Sequence, residues 1–526
     1  MTSPDASTDA PAPLAAVLFD MDGVVTDTAD AHAAAWKRLF DAFLEQWSAR
    51  RGTSFEPFDI ESDYRAYVDG KPRYDGVASF LAARGIELPR GEPDDDPARE
   101  TVCGLGNRKN GYFREWLEAH RVRTYPATLA LIARLRAAGV GVAVFSASRN
   151  CAAVLRNAGV LDRFDARVDG NDLAELGLPG KPDPAMLAEA ARRLGAAPGR
   201  TAVLEDSVAG VRAGAAGGFR PVVGIDRGDY GHALAEGGAD IVVRDAGELR
   251  LDADAGLAAK RLDAIPSARE RVAELRARTG AGRPAVFLDY DGTLTPIVDD
   301  PAAATLPQAM RATLAGLAER WPVAVISGRG LEDLRERVGL DDLVYAGSHG
   351  FELAGPGFAF TAEHAEEFLP ALDAAEAALR ERLAGIEGHQ VERKRFAVAV
   401  HYRRLADPAD AARVERAVDA VLAEQPRLRK GHGKKVFQVQ PRLAWDKGRA
   451  VTWLLGRLGL DGDDVVPLYI GDDLTDEDAF RALSGRGIGV VLRDGERTTA
   501  ADYALDDPDD VRRFLEALRA TGDPGT

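Results

Sequence analysis

Among 526 residues there are only two cysteines, Cys103 and Cys151, four methionines and eight histidines. Two thiols in no paired spacing exclude a disulfide framework and a cysteine-based zinc site, and they suit a reducing compartment. No apolar run reaches the roughly 18 residues that a membrane-spanning helix needs, and no signal-peptide pattern is present, so a cytoplasmic protein is expected. Positive charge is also in deficit: 67 Lys and Arg stand against 84 Asp and Glu, a formal net charge of -17. Nucleic acids and anionic lipid surfaces attract the opposite balance, so neither is an expected partner. An anionic ligand of such a chain needs local cations or a metal to hold it.

What is present is an ordinary globular composition, 46% hydrophobic and 29% charged, on a chain too long for one core. One phrase occurs twice, "LFDMDGVVTDT" at 18–28 and "FLDYDGTLTPI" at 287–297. Long-range self-similarity of this kind predicts two related domains. Short apolar runs closing on polar residues recur around each phrase: "AAVLFD", "GVGVAVFS", "TAVLED" and "PVVGI" in the first half, "PAVFLD", "PVAVIS", "VVPLYIGDD" and "GIGVVL" in the second. Helix-patterned segments such as "ATLALIARLRAAG" lie between them. Buried parallel strands alternating with helices predict two doubly wound, Rossmann-like α/β cores. Residues 1–13 mix Pro, Ser, Thr and Asp without periodicity and are expected to form a disordered tail. The first domain is then expected over 14–250 and the second over 281–522. Between them, 251–280 reads as a linker with a helix opened by Ser267 and Glu270 in capping-box spacing.

Open α/β sheets bind ligands at the carboxyl ends of their strands. In the first half those ends carry Asp20 and Asp22, Ser146, and Glu205 with Asp206, and Lys181 stands in the turn "GKPDP". The second half offers Asp289 and Asp291, Ser327, and Asp472 with Asp473, and Lys447 stands in "WDKG". The two sets agree in type and order. Such a set suits phosphoryl transfer. The first Asp is placed to attack phosphorus and the second to act as acid and base, while Ser and Lys hold phosphoryl oxygens and the acidic pair offers hard oxygen ligands for Mg²⁺. A calcium-loop reading fails, because Val25 and Leu294 stand where that loop requires glycine. Taken singly, Ser146 and Ser327 read as helix caps and the lysines as solvated turn residues; it is the repetition of the whole set that favours chemistry.

This pattern resembles the haloacid dehalogenase-like superfamily, with its Mg²⁺-dependent aspartyl phosphotransfer. The second half resembles trehalose-6-phosphate phosphatase through "FLDYDGTLTPI", "ISGR" (326–329), "GSHGFEL" (347–353), "VHYR" (400–403), "WDKGRAV" (445–451) and "YIGDDLTDEDAF" (469–480). That resemblance implies Asp289 as nucleophile and Asp291 as acid/base. It implies a metal site of Asp289, Asp472 and the backbone at Asp291, supported by Asp473 and Asp476. It also implies an α/β cap over about 345–442 above the sugar, and contacts to the sugar hydroxyls and phosphate from Arg329, His349, Glu352, Lys394, Arg403, Lys435 and Gln438. Gln438 departs from the acidic residue common at that position.

The first half resembles β-phosphoglucomutase and its sugar-phosphatase relatives through "DMDGVVTDT", "HAAAWK" (32–37), "RKN" (108–110), "SASRN" (146–150), "GKPDP" (180–184) and "LEDSVAG" (204–210). It implies a helical cap over about 29–122 and a metal site of Asp20, Asp22, Glu205 and Asp206. A second phosphate grip would come from Arg73, Ser148, Arg149 and Asn150, with Thr28 and His32 on Asp22 and Lys109 reaching from the cap. The expected activity is a trehalose 6-phosphate phosphatase fused to a hexose-phosphate mutase or phosphatase. Two alternatives stay open: another disaccharide phosphate, such as sucrose phosphate, as substrate of the second half, and a regulatory sugar-phosphate-binding role for the first.

Overall fold

The computed structural model describes residues 13–520 apart from 61, 70, 229, 253–255, 281, 299–302 and 406, so the expected tail lies, but for Pro13, outside the described residues. The chain divides into two compact units, Met1–Ala259 and Lys260–Thr526.

The first unit is built on six parallel strands: β1 (Ala16–Asp20), β2 (Gly141–Phe145), β3 (Ala166–Val168), β4 (Thr201–Glu205), β5 (Val222–Ile225) and β6 (Ile241–Val243). They lie in the order β3-β2-β1-β4-β5-β6. β1 is buried on both faces. Val17 and Phe19 pack into one core with Val142, Val144 and Leu204, and Leu18 packs into the opposite one with Ala143, Phe145 and Val203. Burial on both faces is why the strand reads as a continuous apolar run. After β1 come three cap helices, α1 (Ala29–Arg51), α2 (Arg73–Ala83) and α3 (Val102–Ala119). An aromatic core of Trp36, Phe40, Phe43, Phe58 and Phe80 joins them.

In the second unit the main sheet has eight strands. β7 (Arg283–Asp289), β8 (Val323–Ile326) and β9 (Val344–Gly347) are followed by the antiparallel β10 (Glu352–Gly355) and β11 (Phe358–Thr361), and later by β16 (Val465–Gly471), β17 (Ile488–Leu492) and β18 (Tyr503–Leu505). The order is β11-β10-β9-β8-β7-β16-β17-β18. Between β11 and β16 a cap is inserted. Its antiparallel sheet, β12 (Gln390–Lys394), β13 (Ala397–His401), β14 (Leu428–Gly433) and β15 (Val436–Pro441), runs β12-β13-β15-β14 and is backed by helices Leu369–Leu383 and Ala411–Glu424.

Two boundaries differ from the expectation. Residues 345–361 belong to the main sheet rather than to the cap, because β10 and β11 extend its edge by antiparallel pairing. The stretch 251–280 is not a separate linker. Leu249–Asp252 and Gly256–Ala259 form a hairpin of the first unit, and the later helix spans Val272–Gly280 in the second. That helix does not begin at Ser267, since Ser267 bridges Ala504 and the amide of Ala268 donates to the Ala504 carbonyl at 2.9 Å. Pairing with the sheet edge overrides the local capping signal. Among the described residues no helix is long and apolar enough to cross a membrane.

Candidate active sites

In each unit the strand ends form one charged cluster around a buried lysine. Lys181 places Nζ 2.5 Å from Asp20 Oδ1 and 2.7 Å from Glu205 Oε2. Lys447 places Nζ 2.7 Å from both Asp289 Oδ1 and Asp476 Oδ1. Both lysines are buried. Burial alone would strip their protons, but the two carboxylates outweigh it and hold each ammonium more firmly than usual. Burial raises the proton affinity of Asp20 and Asp289, against the opposing pull of the lysine.

The turn after the first strand is the same in both. Gly23 (φ +79°) and Gly292 (φ +90°) are left-handed, and a Cβ there would come within 1.7 Å of Asp206 Oδ2 and 2.1 Å of Asp472 Oδ2. Glycine is required for the loop to approach that carboxylate. This geometry corrects the residue matching of the two halves. Asp206 corresponds to Asp472, while the lysine-anchoring role of Glu205 is taken in the second unit by Asp476, four residues beyond Asp472. Asp476 Oδ2 accepts the amides of Asp472 and Asp473 at 2.9 and 3.0 Å, and its Oδ1 accepts from Tyr469 at 2.6 Å.

Oxygens of Asp20, Glu205 and Asp206 lie within 4.8 Å of one another, as do those of Asp289, Asp472 and Asp476. Carboxylates alone, without His or Cys, fit Mg²⁺. Both oxygens of Glu205 are engaged by Lys181 and Ser207, and both of Asp476 by the contacts above. Asp20 with Asp206 and Asp289 with Asp472 are the carboxylates that would hold such an ion, Asp472 while also accepting from Lys434 at 2.6 Å. Burial and Asp473 raise Asp472 to about 7, against the opposing Lys434. The side chains of Asp22, Asp291 and Asp473 are not in these groups; Asp473 Oδ1 instead accepts from the Thr475 amide at 2.7 Å.

In the first unit Asp22 accepts a hydrogen bond from Thr28 and lies 3.7 Å from His32 Nε2, while His32 Nδ1 is 2.7 Å from Lys109 Nζ. His32 stacks on Phe113, with ring centroids 4.0 Å apart. Burial raises Asp22, lowers His32 well below its ordinary range, and lowers Lys109 to about 7. A cavity of about 320 Å³ joins these groups to Ser146, Ser148, Arg149, Asn150 and Arg73. Of the residues expected at this site, only Thr28 lies behind the wall rather than in it. Sequence reasoning missed Asn110, whose carbonyl oxygen accepts from Asn150 at 2.6 Å, and Tyr64, Asp69 and Arg90 in the cap wall.

The second cavity, about 160 Å³, brings Asp289, Asp291, Ser327, Arg329, His349, Lys394, Arg403, Gln438, Lys447, Asp472 and Asp473 together. Arg329 grips Asp291 and also Asp333, at 3.0 Å. Ser348 and His349 are left-handed without being glycine (φ 51° and 58°), a strain that concentrates at functional sites. His349 Nε2 lies 2.6 Å from Gln438 Oε1, which also accepts from Gln440 at 2.7 Å. Burial, then Lys447 and Lys394, lowers His349 to about 3, so the ring is neutral.

Two expected contacts are not in this cavity. Glu352 lies behind the wall, bound by Ser348 at 3.2 Å and Arg395 at 3.0 Å. Lys435 shares the two-residue turn between β14 and β15 with Lys434, and it is Lys434 that lines the cavity. Nothing in a Lys-Lys pair tells the two apart. Glu392 was also missed, although β12 places Gln390, Glu392 and Lys394 in the same wall, a period of two that the sequence displays. His401 sits 2.9 Å from Glu392 Oε2.

Comparison with known proteins agrees with this division. The trehalose-phosphatase family model matches residues 287–509, and that of haloacid dehalogenase-like hydrolases matches 14–218. An uncharacterized glycosyl hydrolase of Mycobacterium tuberculosis is 43% identical over 512 residues; the match covers 96% of this chain but only 38% of that protein. A trehalose-phosphate phosphatase of Mycobacterium marinum is 42% identical over 337 residues, covering 63% of this chain and 85% of the relative. A solved structure of β-phosphoglucomutase from Clostridium difficile is 24% identical, with a TM-score of 0.36, over 45% of this chain and 93% of its own. Because the Mycobacterium marinum relative is 42% identical and is matched over 85% of its length, the chain belongs to the trehalose-phosphatase family through its second unit, and a haloacid dehalogenase-like hydrolase unit precedes it.

Proposed function

We propose that the second unit hydrolyses trehalose 6-phosphate to trehalose and phosphate, and that the first acts on a hexose phosphate as mutase or phosphatase. The observation that carries the first statement is the match to trehalose-phosphate phosphatase along 85% of that relative. The lysine-bridged carboxylates under a polar cap supply the chemistry.

In this reading an oxygen of Asp289 attacks phosphorus, and the ester bond to the sugar breaks as Asp291 gives its proton to the leaving oxygen. Asp291 then takes a proton from water, which attacks the aspartyl phosphate, releases phosphate and regenerates Asp289. Ser327 and Lys447 hold phosphoryl oxygens, and Lys447 also keeps Asp289 aligned through its 2.7 Å contact. Mg²⁺, held by Asp289 and Asp472, supplies the positive charge that phosphoryl transfer needs in an acidic site. Glu392, Lys394, Arg403 and Gln438 present charge and hydrogen bonds from the cap to the sugar.

For the first unit, Arg73 and Arg149 share the 320 Å³ cavity with Asp20. Cations in that wall besides Lys181 suit a ligand with a second phosphate, as a mutase intermediate has. The two unpaired, buried cysteines fit a cytoplasmic address.

The test is phosphate release from trehalose 6-phosphate with Mg²⁺, comparing wild type, Asp20→Asn and Asp289→Asn. Activity that survives the first change and vanishes with the second supports the assignment; undiminished turnover in Asp289→Asn sinks it. Formation of glucose 6-phosphate from β-glucose 1-phosphate, given a bisphosphate primer, separates mutase from phosphatase in the first unit.

A further inference from the structure

Lys434 stands at the tip of the cap hairpin, in the two-residue turn between β14 and β15. From there it reaches the core. Its Nζ lies 2.6 Å from Asp472 Oδ2 and 2.7 Å from Asp494 Oδ2. Asp472 follows β16 and Asp494 follows β17, so one cap side chain ties down the ends of two core strands. The contact with Asp472 is sheltered, the carboxylate side chain being 4% exposed and the lysine 28%. A second anchor holds the same turn, since Arg403 donates to the Lys434 carbonyl at 2.8 Å.

Asp472 is also one of the three carboxylates whose oxygens converge within 4.8 Å. The cap's own ammonium and a divalent cation are therefore drawn to one buried carboxylate, and their charges repel at close range in a medium less polar than water. The geometry points to Lys434 as an internal counter-ion of the second metal site. It neutralises Asp472 and Asp494 and fastens the cap hairpin to the core, and metal loading displaces it from Asp472. Once displaced, its charge is available to the anionic end of a ligand in the same cavity, which Lys434 lines. Metal loading, loosening of the hairpin from Asp472 and anion binding are thus coupled through one side chain. This inference rests on the assignment of Asp289 and Asp472 as the carboxylates that hold the ion.

The experiment is a calorimetric Mg²⁺ titration of the full chain carrying Asp206→Asn, which confines binding to the second unit, without substrate. With Lys434→Met the dissociation constant for Mg²⁺ falls by about threefold to tenfold, the effect of removing one adjacent positive charge partly screened by solvent. Lys434→Arg keeps the wild-type constant. Amide exchange at Gly433–Val436 speeds up on adding Mg²⁺ when Lys434 is present and does not when Met replaces it. An unchanged or weaker affinity in Lys434→Met, with binding still lost in Asp472→Asn, overturns the counter-ion role while leaving the metal assignment intact. Undiminished binding in Asp472→Asn overturns both.

Discussion

Arg329 donates from Nε and Nη2 to the two oxygens of Asp291, each at 2.7 Å, so the carboxylate proposed as acid/base of the second unit lies in a guanidinium fork. In the first unit the corresponding Asp22 meets a threonine hydroxyl and a histidine ring that burial keeps neutral. A lysine carries the charge of Arg329 but not its planar pair of donors. Arg329→Lys is therefore expected to cut kcat on trehalose 6-phosphate by more than about tenfold, part of the roughly 100-fold to 10,000-fold that acid/base catalysis contributes, and to change KM less. Steady-state kinetics check this; a variant with wild-type kcat would show that the fork does not orient Asp291.

Lys447 is the sole ammonium within 3 Å of both Asp289 and Asp476 among the described residues. Its removal leaves two buried carboxylates facing each other. Lys447→Met should cost about 3 to 5 kcal/mol, as breaking buried ion pairs does, and Mg²⁺ should restore part of that by binding the folded state alone. Thermal melting of the second unit with and without Mg²⁺ measures both effects. An unchanged melting temperature would mean that the carboxylates had taken up protons at little cost.

Gly292→Ala places a methyl group 2.1 Å from Asp472 Oδ2 on a backbone at φ +90°. Asp472 must swing away, so Mg²⁺-dependent stabilisation of the second unit disappears while its secondary structure remains. Gly23→Ala does the same in the first unit through Asp206. Circular dichroism and Mg²⁺ titration together test this, and retained metal affinity in either variant would refute it.

Lys109 releases its proton at about 7 in the folded chain, chiefly because it is buried, against an ordinary value of 10.5. Between those values the unfolded chain holds a proton that the folded one has given up, so this residue makes stability rise with pH across that window. Below about 7 both states are protonated, and the burial penalty stands in full. Lys109→Met should accordingly stabilise the first unit most near pH 6 and progressively less towards pH 10. Urea unfolding at the two pH values tests the sign; a difference independent of pH would contradict it.

The central strands and the first lysine cluster were legible because parallel strands buried on both faces leave unbroken apolar runs, and the runs "AVLFD" and "AVFLD" end on residues that meet in space; in the second cluster the anchor Asp476 lies past the strand end, where no run marks it. The cap chemistry was less legible. Glu392 lies in an ordinary alternating strand, and Lys434 differs from Lys435 only through the direction of a turn. The strands β3 and β6 have three residues each, too short for periodicity to register. β10 and β11 read as part of the cap because the sequence does not state which sheet an edge hairpin will join. The Ser267 capping signal is real as local chemistry, and a tertiary pairing with Ala504 displaced it.

Glu205 and Asp476 hold their lysines from different addresses, one at a strand end and the other a turn downstream. A position-by-position superposition of the two halves' sequences would pair the wrong acids and overlook the shared site. What the units have in common is a balance of charge around one ammonium, with the counterweight supplied from different positions along the chain. Transplanting the anchor, by combining Gly471→Glu at the end of β16 with Asp476→Asn, would show how freely such a part can be relocated.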